Sequence, residues 1–149
     1  MSAEGARPLF VDTGAFFARV KADDEHHDDA TAVFGAIQQG TLPYRPIYTS
    51  RFVLSELATL TRRKIDHATA VRALTTVRDS PTFNVLVADD AVFVDACDEF
   101  ARYDDQQISI VDHLSAVLAR ERDVEHVFAF DSDFRTLGLM QVPGDTGGP

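Results

Sequence analysis

Five carboxylates stand where their chemistry calls for an explanation. Asp12 closes the apolar run Pro8-Leu9-Phe10-Val11, and Asp131 closes a second, Val127-Phe128-Ala129-Phe130. Glu56 and Asp112 sit inside apolar, helix-like segments, and Asp133 follows Asp131 by two residues. A carboxylate that ends a buried strand leaves the sheet at its carboxyl edge, where open α/β sheets place their ligands. Two such groups about 4 Å apart repel by on the order of 4 kcal/mol at an effective dielectric near ~20. Acids gathered at one edge therefore call for hard cations. All-oxygen donors, in a chain whose single cysteine is Cys97, favour Mg2+ or Mn2+. One or two such ions can activate a water and steady the leaving oxygen of a phosphodiester, so hydrolysis of nucleic acid is the natural chemistry.

Taken singly, each acid has a plainer account. Asp12, followed by Thr13 and Gly14, has the place of a helix N-cap. Glu56 fits a surface glutamate favoured by the helix dipole. Asp112 is a poor helix former among Ile110, Val111 and Leu114, although a first turn tolerates it. A cap explains Asp131 or Asp133, but not readily both. Their combination carries the argument: two acids end strands, two open helices, and in a parallel sheet both kinds of junction share one edge.

The elements that must position them alternate along the chain, as in a parallel sheet covered by helices. Strands are expected over 8–12, 46–49, 83–88 and 126–130, with a last edge strand over 139–142. A first helix follows Asp12 through Val20, and a second spans 29–39 and ends at Gly40. Ser50 caps the third, with Val53, Leu54, Leu57 and Leu60 at helical spacing. The fourth spans 66–79 with Asp66 as cap and Val71, Leu74 and Val77 inward. Asp89 or Asp90 opens a fifth that buries Val92, Phe93, Ala96 and Phe100, and Ser109 opens a sixth with Ile110, Val111, Leu114, Val117 and Leu118 inside. Residues 22–29 read as a solvated loop in which His26 and His27 lack metal-ligand spacing. Residues 103–107 form a polar patch. His113, beside Asp112, points about 100° away around its helix, so it does not share that site.

The chain has 149 residues and a formal charge of −10, with twelve arginines against only Lys21 and Lys64. Its length fits one domain with an adequate core. An acidic, lysine-poor surface suits a halophilic protein kept soluble at high salt by self-repulsion, and the alternative is an ordinary acidic protein rich in arginine codons. Either way a partner held by broad electrostatic attraction is disfavoured; nucleic acid would need local arginines or metal ions to offset the repulsion. No run approaches the roughly 18 apolar residues of a membrane span, and Met1 to Pro8 lack a signal-peptide core, so a cytoplasmic location is expected. Cys97 reads as a small core residue, and no internal disulfide is possible.

Phe10-Val11-Asp12-Thr13, Ser55-Glu56-Leu57, Ser109-Ile110-Val111-Asp112 and Phe130-Asp131 with Phe134 three residues on together resemble the PIN-domain nucleases, especially the toxins of VapBC toxin–antitoxin pairs. Leu137-Gly138-Leu139 and Pro143 extend the resemblance over nearly the whole chain. It implies one PIN domain over residues 1–143 and a three-layer α/β/α sandwich with a parallel sheet of four to five strands; the tail over 144–149 reads by itself as disordered. It also implies a Mg2+- or Mn2+-dependent endoribonuclease, often a homodimer, with an antitoxin partner. On that basis Asp12, Glu56, Asp112 and Asp131 are the catalytic candidates. Asp12, Asp112 and Asp131 bind metal, and Asp133 supplements or replaces Asp131. Glu56 binds metal through water or positions the attacking water. Thr13 and Ser109 support the ligands, and Arg51, Arg62, Arg63 and Arg135 are candidates to meet RNA phosphates, against the plainer account that they pair with surface acids. One departure is Ala129, where many members of the family carry threonine or serine.

Two other aspartate-rich folds fail on position. Asp131-Ser132-Asp133 resembles the paired aspartates of haloacid dehalogenase-type phosphatases, which need that pair after the first strand with the sheet still to come. A response-regulator receiver needs a lysine after a late strand, and Lys21 and Lys64 come too early. The competing class is a non-catalytic PIN-like module that binds RNA or protein. The presence of all four acids argues against it.

Overall fold

The computed structural model describes residues 5–104 and 106–147. Met1 to Glu4, Asp105 of the polar patch, and residues 148 and 149 of the tail lie outside the described residues, with the expectations that fall on them. Strands β1 (Arg7–Val11), β2 (Tyr44–Ser50), β3 (Phe83–Leu86), β4 (His126–Phe128) and β5 (Met140–Val142) form one sheet in the order β3-β2-β1-β4-β5. Every neighbouring pair is parallel. Consecutive Leu9, Phe10 and Val11 are all buried, as are consecutive His126, Val127 and Phe128. Such unbroken burial marks strands covered on both faces.

Between the strands run α1 (Thr13–Val20), α2 (His27–Gln38), α3 (Arg51–Lys64), α4 (His67–Asp79), α5 (Asp90–Arg102), α6 (Ile110–Glu121) and the short α7 (Asp133–Thr136). Helices α1 to α4 pack on one another and α5 packs on α6, giving the expected α/β/α layering. Short polar side chains start the helices where expected: Ser50 accepts from the Val53 amide, Asp66 from Thr69, Asp89 from Val92 and Ser109 from Asp112. The core beneath the sheet's carboxyl edge is aromatic. Phe34 lies 5.7 Å from Phe16 and 4.7 Å from Phe128, centroid to centroid.

Several expectations need correction. β3 stops at Leu86 and β4 at Phe128, each two residues early, and α2 begins at His27. On α4 the inward residues are Ala70, Ala73 and Val77 while Val71 is exposed, because close packing on α3 selects small side chains. α5 turns only Val92 and Ala96 fully inward and leaves Phe93 and Phe100 about half exposed. Residues 143–147 form a turn in which Asp145 accepts from the Gln141 amide and from Arg135, each at 2.8 Å.

The strand order creates the site. From β1 the chain builds outward to β2 and β3 on one side, and β4 and β5 fill the other. A parallel sheet that reverses direction in this way opens a crevice at the carboxyl ends of the two strands at the reversal, here β1 and β4. Asp12 follows the first and Asp131 comes shortly after the second.

Candidate metal centre

Asp12 is locked at its junction from three directions. Its amide donates to the Phe128 carbonyl at 3.1 Å, which ties it to β4. Its Oδ2 accepts from the Gly14 amide at 3.4 Å. On the β2 side, the buried Thr49 hydroxyl donates to the Val11 carbonyl at 3.0 Å and braces the residue just before it. The other oxygen, Oδ1, is buried and has no hydrogen-bond partner among the described residues, and the same holds for the neighbouring Thr13 hydroxyl.

Asp112 enters from α6, which is buried continuously from Asp112 to Ala119. Ser109 Oγ accepts from the Asp112 amide at 3.1 Å and fixes the first turn that carries it. Single carboxylate oxygens of Asp112, Asp131 and Asp133 lie within 4.8 Å of one another. Asp131 and Asp133 are held as a unit, since Asp131 Oδ1 accepts from the Asp133 amide at 2.9 Å. Glu56, one turn and a half into α3, is half-buried at the rim, near enough for its charge to act on both Asp12 and Asp112.

The electrostatics record this crowding. Burial, and then the charge of Asp112, raise the Asp12 carboxyl to about 8. Burial followed by the charges of Asp131, Glu56 and Asp133 raises Asp112 to about 7. Asp133 is raised as well, by burial and then by Asp131. Buried oxygens without partners, carboxylates brought within one ion's reach and an all-oxygen donor set fit a hard divalent cation. The site also has an aromatic flank: the His26 ring lies parallel to Phe130, 4.3 Å away.

Of the five acids proposed from the sequence, Asp112, Asp131 and Asp133 come within one ion's reach of one another, while Asp12 and Glu56 stand near enough to Asp112 for their charges to interact. Thr13 adjoins Asp12, and Ser109 caps the helix of Asp112. The arginines divide. Arg51 is exposed in the first turn of α3, on the site's side of the sheet. Arg62 and Arg63 lie in the last turn of α3, about 9 Å or more along the axis beyond Glu56, away from the crevice. Arg135 is paired with Asp145 at 2.8 Å. His113 is buried and bonded to Glu99 at 3.2 Å, on the side of α6 that meets α5. Sequence reasoning missed Thr49 and the His26–Phe130 pair. Both depend on contacts between distant segments, and only the β-branched hydroxyl at the end of a strand left a local trace.

Residues 9–139 match the family model described as PIN domain. The chain is 29% identical over 136 residues to the 23S rRNA-specific endonuclease VapC20 of Mycobacterium tuberculosis, covering 90% of this chain and 97% of that protein. The crystal structure of M. tuberculosis VapC20, described as a sarcin–ricin loop cleaving toxin, superposes with a TM-score of 0.80 at 28% identity and covers 89% of this chain and 96% of that one. FitAcB from Neisseria gonorrhoeae shares the fold at a TM-score of 0.62 and 15% identity, covering 89% and 95%. VapBC2 from Rickettsia felis, bound to a DNA fragment from its promoter, does so at 0.64 and 12%, covering 89% and 96%. With the acids at the β1–β4 crevice and the match running from the first strand to the last turn before the fifth, the chain belongs to the PIN domain family, and VapC toxins are among its relatives.

Proposed function

We propose that this chain is a metal-dependent endoribonuclease and the toxin of a toxin–antitoxin pair, working in the cytoplasm. The observation that carries the reading is the convergence of carboxylates on Asp112, whose charge is opposed by Asp131, Glu56 and Asp133. Crowding of that kind is costly in a metal-free protein and useful around Mg2+ or Mn2+. Asp12, Asp112 and Asp131 would hold the ion or ions, with Asp133 supplementing Asp131. When bound there, a cation would supply positive charge to acidify a water and to offset the charge that builds on the phosphate. Glu56, less buried than the two central aspartates, orients the attacking water or holds a water on the ion. Ser109 keeps Asp112 in place by accepting from its amide, and the buried Thr13 hydroxyl, which has no partner among the described residues, would bond to a water beside Asp12 once the site is filled. Arg51, exposed in the first turn of α3, would meet a backbone phosphate.

The relatives support a choice of substrate to test. VapC20 is named for 23S rRNA and for the sarcin–ricin loop, so an RNA hairpin of that loop is the first substrate to test. Several fold neighbours are VapBC assemblies, which supports an antitoxin as partner. A second copy of this chain would cover Phe93 and Phe100, exposed on α5. Among the described residues no helix is long and apolar enough to cross a membrane.

Purified protein should cleave the hairpin with Mg2+ or Mn2+ and stop when a chelator is added; cleavage that survives chelation refutes the mechanism. Expression should arrest growth, with relief from the product of an adjacent gene. Equal harmlessness of wild type and Asp12→Asn removes the toxin role.

A further inference from the structure

RNA presents this chain with an electrostatic difficulty. Its net charge is −10, and the crevice is lined by carboxylates. Of the four arginines near the motif segments, two lie at the far end of α3 and one is paired with Asp145. Most affinity of proteins for nucleic acid comes from neutralised phosphates, and that source is weak here. Affinity that does not depend on charge has to come from the bases, and unpaired bases are held by stacking on aromatic or histidine rings.

One such surface borders the cluster. The rings of His26 and Phe130 are 4.3 Å apart and within 4° of parallel. Phe130 is the residue immediately before Asp131, so the pair stands next to the carboxylates in the chain itself. Both partners are held firmly. Phe130 meets Phe128 edge-on at 5.9 Å, which anchors it to the end of β4. The His26 amide donates to Asp24 Oδ1 at 2.9 Å, its carbonyl accepts from the Ala30 amide at 2.9 Å, and the next residue, His27, bonds through Nδ1 to the Ala18 carbonyl at 2.8 Å. One face of the His26 ring is covered by Phe130, yet 39% of the side chain stays accessible. The accessible part of His26 is thus a preordered ring with Phe130 as backing, with the exposed Glu25 carboxylate at its edge, 3.6 Å from Nε2.

Resting on the nuclease reading, we propose that His26, backed by Phe130, is a stacking seat for one unpaired base of the RNA, adjacent to the phosphate held at the acidic cluster. His26 acts by positioning and takes no part in the bond breaking. Such a seat selects RNA in which a base near the cut is unstacked, as in a loop, over a continuous duplex.

The test is binding of RNA hairpins carrying 2-aminopurine at successive loop positions, followed by fluorescence in Ca2+ with the full chain. Wild type should quench the probe at one position. His26→Ala should lose that quench and weaken binding by about 5- to 150-fold, the range expected for one stacked base. His26→Phe should restore both, because it keeps the flat ring and removes the nitrogens. In Mg2+, the His26→Ala defect should fall on KM with kcat little changed. Position-independent quenching, an unchanged His26→Ala, or failure of His26→Phe to rescue would overturn the seat. Cleavage by wild type is scored separately in Mg2+, so loss of the nuclease reading and loss of the seat give different results.

Discussion

Asp12 and Asp112 repel each other across the crevice between β1 and α6: burial first, and the Asp112 charge second, lift the Asp12 carboxyl from 3.8 to about 8. The fold thus keeps two carboxylates in an arrangement that the metal-free protein tolerates best when they are protonated. That is the price of a preformed cation site.

The first prediction concerns stability against pH. Carboxyls with raised values in the folded chain hold protons that the unfolded chain releases. Their contribution is complete below about pH 4 and is lost as pH rises through about 7 for Asp112 and about 8 for Asp12. In chelator, the melting temperature should fall between pH 5 and pH 8.5, by the equivalent of a few kcal/mol (order of magnitude). Asp12→Asn, which retains an oxygen to cap α1, should flatten the profile, and Mg2+ at pH 8 should raise the wild-type midpoint. Identical profiles for wild type and Asp12→Asn would contradict the assigned crowding.

Asp112→Asn should separate activity from stability. Loss of a supporting group around a metal typically costs about 10- to 100-fold, so loss of the central acid should reduce cleavage by at least about 100-fold. The same variant relieves repulsion with Asp131, Glu56 and Asp133, so without metal it should melt no lower than wild type. Calorimetry beside a single-turnover cleavage assay checks both halves. A variant that is inactive because it is unfolded would show instead a collapsed melting temperature.

The acids could be found from the sequence because strand ends and helix starts leave local marks: an apolar run closed by Asp12, or Ser109 three residues before Asp112. The layered fold was legible for the same reason, through unbroken apolar strands between capped helices. Other features depend on what a segment meets. Helical spacing on α4 gives an apolar side but cannot say that α3 approaches closely enough to prefer Ala70 and Ala73 to Val71. Spacing on α5 cannot tell that this chain leaves Phe93 and Phe100 about half exposed. The His26–Phe130 stack joins the loop before α2 to the end of β4, and nothing near either residue announces the other.

We propose that Asp131, ahead of Asp133, is the principal ligand of the pair. Asp131 is the more exposed of the two and accepts from the Asp133 amide, so it shapes the turn that follows while staying accessible to a ligand. Asp131→Asn keeps an acceptor for that amide, so the turn should persist while the ligand charge is lost. We expect a larger loss of Mg2+-dependent cleavage for Asp131→Asn than for Asp133→Asn, with melting temperatures within a few degrees of each other. The reverse order of activity would assign the principal ligand to Asp133.

The exposed rings on α5 bear on assembly. Phe93 and Phe100 are seven residues apart and share one face of the helix, and Phe93 also stacks on Phe52 of α3 at 6.5 Å. Large apolar side chains standing together in water mark a surface for a partner. A stable interface of roughly 1,200–2,000 Å² in total would need most of this α3–α5 face. Light scattering of wild type at micromolar concentration should report a dimer, and the double variant Phe93→Glu with Phe100→Glu should be monomeric. Both side chains lie outside the fully buried core, so the double variant should keep its melting profile at high dilution. A monomeric wild type would show that this face serves another protein, and the antitoxin is then the partner to test against the same double variant.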